Sequence, residues 1–567
     1  MKTSKHFCKE NLCVLLVLFI LGFSCQPKKE AVGLIADEAM VVSAHPLASK
    51  VGKDILQQGG NAVDAAIAVQ MALAVVYPQA GNIGGGGFMV IREAGGSHHT
   101  LDYREKAPLA ASRDMYLDDN GDALPEKSQN GHLASGVPGS VDGMVRAHEK
   151  LGSMEWARLI QPAIELAEDG FELSADEADY FTRVSESLKK YSTVDPIQFT
   201  GKAWNAGDRL IQSQLANTLK LIRDKGRAGF YSGQVANDIV AEMERGGGII
   251  SLEDLEQYES SWRQALTGDY KDYHIITMGP PSSGGLILLQ MLGIMENYQV
   301  SDQGMAYADY LHLKTEMERR IFADRAAFMA DADFYPVPVD ELLADSYLDQ
   351  RFSNFDPDAA TPSDLIMEGN ILSMSEETTH FSIVDQEGNA VSCTTTLNGG
   401  MGSKVVVDGA GFLLNNEMDD FSIKPGFPNM FGVLGGEANK IEPGKRMLSS
   451  MTPTIIEKDG ELFMVVGTPG GSTIPTSVFQ TVVNVIEFGM GMQEAINEKR
   501  FHSQWKPDQI SFEKDFDQAD ILQSLRDKGH ALSERNGIGR VDAILMLEDG
   551  KMEGGADPRG MDAASGF

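Results

Sequence analysis

Cysteine is scarce in this chain of 567 residues. There are four, and three of them, Cys8, Cys13 and Cys25, fall within the first 25 positions, leaving Cys393 alone. Such a chain has no disulfide framework. Basic charge is short as well: 48 Lys and Arg face 82 Asp and Glu, for a formal net charge of −34. Nucleic acid needs a basic face to meet its phosphates, so that class of partner is excluded. There is no His-Glu-x-x-His, no Cys-x-x-Cys and no dinucleotide fingerprint in context. Neither a metal nor an organic cofactor is therefore expected. Internal repeats and low-complexity linkers are missing too. The apolar fraction of 42% and charged fraction of 23% are those of an ordinary soluble globular protein.

The apolar run 12–23 follows Lys2, Lys5 and Lys9 and is too short for a comfortable membrane span. It reads as the core of a signal peptide. Its end, Leu21-Gly22-Phe23-Ser24-Cys25, resembles a bacterial lipoprotein signal, with the leucine one place further from the cysteine than usual. Residues 1–24 are expected to be removed and Cys25 to carry lipid. The mature protein is then exported, in the periplasm or attached to the outer membrane. An ordinary secretory signal cut nearby is the alternative, and it also exports the chain.

Helices are expected over 45–58 and 62–76; Asn61 caps the second, which is apolar nearly all round and hence buried. Gly84-Gly85-Gly86-Gly87 leads into a strand, and no Lys-Ser/Thr follows. Close backbone packing is the expected reason for these glycines, rather than a phosphate cradle. Asp118-Asp119-Asn120-Gly121-Asp122 lacks the correctly placed glycine and distal glutamate of a calcium loop and reads as a turn. Residues 140–350 are mainly helical, with helices at 159–169 and 286–298 and a long amphipathic one at 307–329. Residues 353–377, rich in Asp, Ser, Pro and Glu, show little periodicity and are expected to be flexible.

Next comes a hairpin. Thr379, Phe381 and Ile383 alternate with His380 and Ser382, Asp385-Gln386-Glu387-Gly388-Asn389 is turn chemistry, and 390–397 is a second strand. Cys393 lies in that second strand, as a buried structural thiol would. Residues 421–445 hold many Gly and Pro, and a loop of that length inside a domain is usually functional. Strands at 446–456 and 462–467 and a helix at 474–488 follow. The overall pattern is α+β or layered α/β.

Several short motifs occur together. They are Gly59-Gly60-Asn61-Ala62-Val63-Asp64-Ala65-Ala66, Asp102-Tyr103-Arg104-Glu105 and Pro281-Ser282-Ser283-Gly284-Gly285 in the first part. In the second are Thr378-Thr379-His380, Thr396-Leu397-Asn398, Asn415-Asn416-Glu417-Met418-Asp419-Asp420, Leu448-Ser449-Ser450-Met451 and Pro469-Gly470-Gly471-Ser472. In this order, over residues 34–567, the set resembles the γ-glutamyltransferase family of N-terminal-nucleophile hydrolases. The resemblance implies an α+β layered fold of the αββα type, two β-sheets between helical layers. It also implies a precursor that cuts itself between Glu377 and Thr378. The large subunit 25–377 and small subunit 378–567 would remain together as a heterodimer forming one composite domain.

What the resemblance implies also makes chemical sense. A threonine hydroxyl needs a base, and a freed α-amino group with a pKa of about 7.7–8.0 supplies one on the same residue. Cleavage at Thr378 would therefore also be activation. Thr396 corresponds to the threonine that orients the nucleophile, and Gly470 and Gly471 to the oxyanion hole. The α-carboxylate of a γ-glutamyl group wants a cation and hydroxyls, which the match assigns to Arg104, Ser449 and Ser450. Its α-ammonium wants oxygens, assigned to Asn398, Glu417 and Asp420. The loop 421–445 resembles a lid over that site, with Phe431 where a tyrosine often stands. Expected partners are glutathione or other γ-glutamyl compounds as donors, and water, amino acids or peptides as acceptors. Two other readings compete. One is a related amidase, acylase or poly-γ-glutamate enzyme of the same superfamily. The other is a surface lipoprotein that binds amino acids or peptides without catalysis.

Overall fold

Along the strand Thr378–Val384, apolar Phe381 and Ile383 alternate with polar His380 and Ser382, yet every residue is buried. A strand in that situation must be covered on both faces. Phe381 and Ile383 pack with Val391, Cys393, Met89 and Ile91 against helices, each contributing roughly 1.5–3 kcal/mol relative to exposure. Val384 joins Met40, Val42, Phe88 and Val90 on the other face, against Ile276, Ile455, Val465 and Ile544 of a second sheet. The computed structural model describes residues 32–301, 305–367 and 378–567. The expected signal segment 1–24, Cys25 and Glu377 lie outside the described residues. Among the described residues no helix is long and apolar enough to cross a membrane.

The two sheets have seven strands each, and all neighbours within them are antiparallel. One runs Ala563–Gly566, Met40–Ser43, Thr378–Val384, Ala390–Thr396, Gly86–Arg92, His98–Asp102, Ser261–Arg263. The other runs Leu34–Ala36, Met552–Gly555, Asp542–Met546, Glu461–Gly467, Thr454–Lys458, Tyr273–Thr277, Leu266–Tyr270. Helices Pro46–Gln57, Ala62–Val76 and Trp156–Asp169 cover the first sheet. Helices Gly284–Met295, Tyr307–Phe328 and Ile474–Ile486 cover the second. The result is a layered α+β architecture in which each sheet mixes strands from both sides of position 378.

Local expectations fare unevenly. Asn61 caps Ala62–Val76 through a reciprocal box: its side chain accepts from the Asp64 N–H, and Asp64 accepts from the Asn61 N–H. The glycine run packs against backbone, since a Cβ on Gly84 would lie 2.1 Å from the Leu413 carbonyl oxygen and one on Gly85 2.0 Å from that of Thr396. Cys393 is buried, with its sulfur 3.0 Å from the Tyr103 hydroxyl.

The helix Tyr307–Phe328 is not the surface amphipath its pattern suggests. Lys314, Glu316, Glu318, Arg319 and Arg320 are all buried. They are tolerated because they neutralise one another: Lys314 meets Glu318, and Glu316 meets both Arg319 and Arg320, each at 2.6 Å. Residues expected to be flexible help to cover them. Arg319 donates to the Thr361 carbonyl and Arg320 to Asn354, while Ser363 is buried against the Trp505 carbonyl at 2.5 Å. Polar composition was a poor guide there, because these polar groups satisfy buried charges. The remainder of that segment, 368–377, lies outside the described residues.

Candidate active site

Pairing puts Thr378 opposite Thr396, Thr379 opposite Thr395 and His380 opposite Thr394. Successive side chains alternate faces, so Thr378, His380 and Ser382 share the inter-sheet side. His380 contacts the Thr394 hydroxyl at 2.8 Å and the Ser382 hydroxyl at 3.1 Å. Burial without a charged partner pushes its pKa down to about 3, so it is a neutral packing residue. Thr378 stands at the strand's end, 5% exposed, with its hydroxyl oxygen 3.4 Å from that of Thr396. The Asn398 N–H donates to the Thr396 hydroxyl at 2.7 Å. Asn398 adopts a left-handed φ of 74°, and its side-chain amide donates to the Asn416 carbonyl at 3.0 Å. Asparagine tolerates this conformation better than most residues.

Two cavities meet at Thr378 and Phe431. The outer one, about 920 Å³, runs past Pro469 and Gly470 towards Gln504 and Arg535. The inner one is lined by Arg104, Arg325, Thr396, Asn398, Glu417, Asp420, Asn429, Ser449, Ser450 and Gly471. Most of the residues singled out in the sequence thus surround a single chamber, although they span more than 350 positions of the chain.

Charge dominates the inner cavity. Arg104 Nη1 lies 2.6 Å from the Glu417 carboxylate and Nη2 2.5 Å from Asp420, while Nε donates to the Met447 carbonyl. Burial opposes the Arg104 charge, but Glu417 and Asp420 outweigh it and raise its pKa. Burial raises Glu417 well above the ordinary carboxylate range despite Arg104. It also raises Asp420, and it pushes Glu105, 3.6 Å from Arg104, up to about 8. Asn429, from the long loop, donates to Asp420 at 2.9 Å and fastens that loop over the chamber.

Ser449 and Ser450 are held from the first part of the chain. The Ser283 hydroxyl and N–H both donate to the Ser449 carbonyl, at 2.7 and 2.9 Å, and the Ser449 N–H donates to the Pro281 carbonyl. Gly284 permits the approach, since a Cβ there would sit 2.1 Å from the Thr452 hydroxyl. On the opposite side Gly470 and Gly471 take φ values of 137° and 47°, which favour glycine. Their N–H groups meet no acceptor among the described residues.

A sequence family described as gamma-glutamyltranspeptidase matches residues 48–567. The chain belongs to that family. It is 44% identical over 530 residues to the glutathione hydrolase proenzyme of Escherichia coli strain K12, covering 93% of this chain and 91% of that one. Among solved structures, the cephalosporin acylase of Bacillus halodurans superposes with a TM-score of 0.82 at 26% identity, covering 96% and 98% of the two chains. The gamma-glutamyltranspeptidase of Helicobacter pylori superposes with a TM-score of 0.56 at 44% identity, covering 61% of this chain and 97% of that one.

Two polar chamber residues, Arg325 and Asn429, escaped the sequence reading. Arg325 comes from a helix whose many charges gave no sign of which one faces a cavity. Asn429 lies in the loop already suspected of function, where its Pro-Asn turn was the available signal.

Proposed function

We propose that the protein is a self-processing γ-glutamyltransferase and glutathione hydrolase. The observation that carries this reading is the threonine at the end of a central strand where a charged inner chamber opens into a large outer cavity. In maturation, the Thr378 hydroxyl attacks the Glu377 carbonyl and the acyl group moves from nitrogen to oxygen. Water then opens the ester, leaving a carboxylate on Glu377 and a free amine on Thr378. Both sheets contain strands from 25–377 and from 378–567, hydrogen-bonded to one another, so the large and small subunits remain one body after the cut.

In turnover, the freed amine takes the hydroxyl proton as Thr378 Oγ bonds to the γ-carbonyl carbon of the donor. The Gly470 and Gly471 N–H groups hold the oxyanion, a role in which losing one donor typically costs ~10²–10³ in rate. The carbon–nitrogen bond breaks, and the proton leaves with the departing amine, Cys-Gly when glutathione is the donor. The γ-glutamyl ester then passes to water, an amino acid or a peptide entering through the outer cavity. Arg104, Ser449 and Ser450 receive the donor α-carboxylate. Asn398, Glu417 and Asp420 receive its α-ammonium, while Thr396 orients the nucleophile. The chemistry uses no metal or organic cofactor. Export and lipid attachment at Cys25 complete the reading.

The high structural likeness to a cephalosporin acylase favours a second reading, a related amidase for another acyl group. Arg104 and Glu417, both buried, and the partly exposed Asp420 suit a zwitterionic donor and would be wasted on a plain acyl chain. The deciding experiment has two arms. Wild-type protein should separate into two chains, the smaller beginning at Thr378 on N-terminal sequencing, and Thr378→Ala should remain one chain. The mature enzyme should turn over a γ-glutamyl anilide far faster than simple acyl anilides. Normal splitting of Thr378→Ala, or a preference for simple acyl groups, would overturn the assignment.

A further inference from the structure

The outer cavity is basic, although the chain carries a formal net charge of −34. Five cations line it against a single carboxylate, that of Glu534. Three of the five are spent. Arg183 meets Asp179 at 3.4 Å, and Arg540 and Arg559 meet Asp562 and Glu513, each at 2.6 Å. The other two are Lys514, which is exposed, and Arg535, which is half-buried. Neither makes a side-chain hydrogen bond or an ion pair among the described residues; the bond between them joins the Lys514 N–H to the Arg535 carbonyl at 3.0 Å.

Strand register explains why Arg535 stays uncommitted. Strands Ile510–Glu513 and Leu532–Arg535 pair in parallel, with Ser511 beside Ser533 and Glu513 beside Arg535. Side chains alternate faces along a strand, so Ser533 and Arg535 line the cavity together. Glu513 is the neighbouring carboxylate, but its acceptor sites are full. Its Oε1 accepts from the Ile538 N–H and Arg559, and its Oε2 from the Arg500 N–H and Arg559. Beside the oxyanion glycines the wall is neutral instead. Ser472 donates to Gln504, which donates to the Phe431 carbonyl. Burial lowers the His502 pKa to about 3, so its ring is uncharged at neutral pH.

At about 920 Å³ the cavity is near the upper end of the range that holds a drug-sized ligand. A single amino acid leaves most of that space empty, whereas a short peptide fills more of it. We propose that the outer cavity reads carboxylates, with Arg535, assisted by Lys514, receiving the free C-terminal carboxylate of the peptide that leaves or accepts the γ-glutamyl group. This rests on the γ-glutamyl reading of the site. Unspent cations in a cleft of an otherwise acidic protein also focus the field that draws an anion in. Arg535 is thus a determinant of specificity for the peptide and not for the acyl group: it separates peptides with a free carboxyl end from those without one.

The test uses γ-glutamyl donors whose leaving peptide is Ala-Gly or Ala-Gly-Gly, each as the free acid and as the C-terminal amide. The γ-glutamyl part is the same throughout, so the inner chamber cancels from the acid-to-amide ratio of kcat/KM. Glutamate release is followed for wild-type, Arg535→Gln and Arg535→Lys protein, with self-cleavage on a denaturing gel as the check on folding. Wild type should favour the acid by about tenfold for at least one peptide length, the low end for a charged hydrogen bond at a half-exposed site. The preference should lie mainly in KM, because the contact is made equally before and during reaction. Arg535→Gln should bring the ratio close to one, and Arg535→Lys, which retains charge but not the fork, should fall between. The wild-type ratio should also shrink as salt rises from about 0.05 to 0.5 M. Equal losses on acid and amide would make Arg535 a structural brace and overturn the proposal. So would a wild-type ratio near one at both lengths, a ratio indifferent to salt, or a wild-type ratio in Arg535→Gln. Wild-type enzyme that releases glutamate from none of the donors would instead fail the γ-glutamyl reading itself, and this proposal with it.

Discussion

The Thr378 and Thr396 hydroxyls stand 3.4 Å apart at the facing ends of two paired strands. Because the Asn398 N–H occupies a lone pair of Thr396, the single proton of Thr396 is left to point towards Thr378 or towards the acidic chamber. A hydroxyl has one proton to give, so this arrangement orients Thr378 without taking its proton. Thr396→Val retains the shape and loses the hydroxyl. A net hydrogen bond is worth about 0.5–1.5 kcal/mol, so kcat should fall roughly two- to tenfold. Precursor disappearance on a gel should slow alongside it. Thr396→Ser should recover most of both rates. Wild-type rates in Thr396→Val would remove Thr396 from the mechanism.

The glycine run bears on the same strand end. A Cβ on Gly85 would lie 2.0 Å from the Thr396 carbonyl oxygen, a backbone atom that cannot rotate away, whereas Gly95 has nothing within 4 Å. Gly85→Ala should therefore cost about 1–3 kcal/mol in overpacking and slow self-cleavage by shifting Thr396. Gly95→Ala is the control. Thermal melting together with a cleavage time course checks both effects, and equal melting temperatures for the two variants would contradict the close approach.

Much of this was legible in the sequence because it depends on local chemistry. The hairpin, the Asn61 cap and the tight glycine packing follow from turn residues, capping residues and period-two alternation. The ordered motifs identified the chamber before any distance was known. What remained illegible was long-range. Nothing in the 307–329 pattern indicates that Glu316 pairs with two arginines under cover of residues 354–363, because burial of charge depends on partners distant in the chain. For the same reason Arg325 could not be told apart from Arg319 and Arg320. That Arg104 pairs with both Glu417 and Asp420 in the folded chamber was likewise not legible, since the partners lie more than 300 positions away.

Acid should destabilise the protein through its histidines. Burial lowers the pKa of both His380 and His502 from 6.5 to about 3. Below pH 6.5 the unfolded chain takes up protons on these rings while the folded chain does not. The unfolded state then binds more protons, and stability declines as pH falls from 6.5 towards 3. The melting temperature should drop across that window. His502→Gln, able to hydrogen-bond Thr476 or Gln504 without titrating, should flatten the drop. A variant with the wild-type slope would show that His502 charges freely in the folded state.

Glu105 should act in the opposite direction. Burial raises its pKa from 4.5 to about 8, more than Arg104 lowers it, and neither of its oxygens has a hydrogen-bond partner among the described residues. Above pH 4.5 the unfolded chain releases this proton while the folded chain keeps it. The folded state then binds more protons, so this group's contribution falls as pH rises from 4.5 to about 8. Asp419 and Glu318, both raised to about 7 by burial, push the same way. Between pH 4.5 and 6.5 the histidine and carboxyl effects oppose each other, so the wild-type curve alone cannot separate them. The difference between wild type and Glu105→Gln can, because the amide is neutral at every pH and nearly isosteric with the protonated acid. Glu105→Gln should melt close to wild type at pH 4 and above it at pH 9, with the gap opening as pH rises between those limits. A gap constant with pH would mean that Glu105 is ionised in the folded protein, with Arg104 facing a third carboxylate besides Glu417 and Asp420.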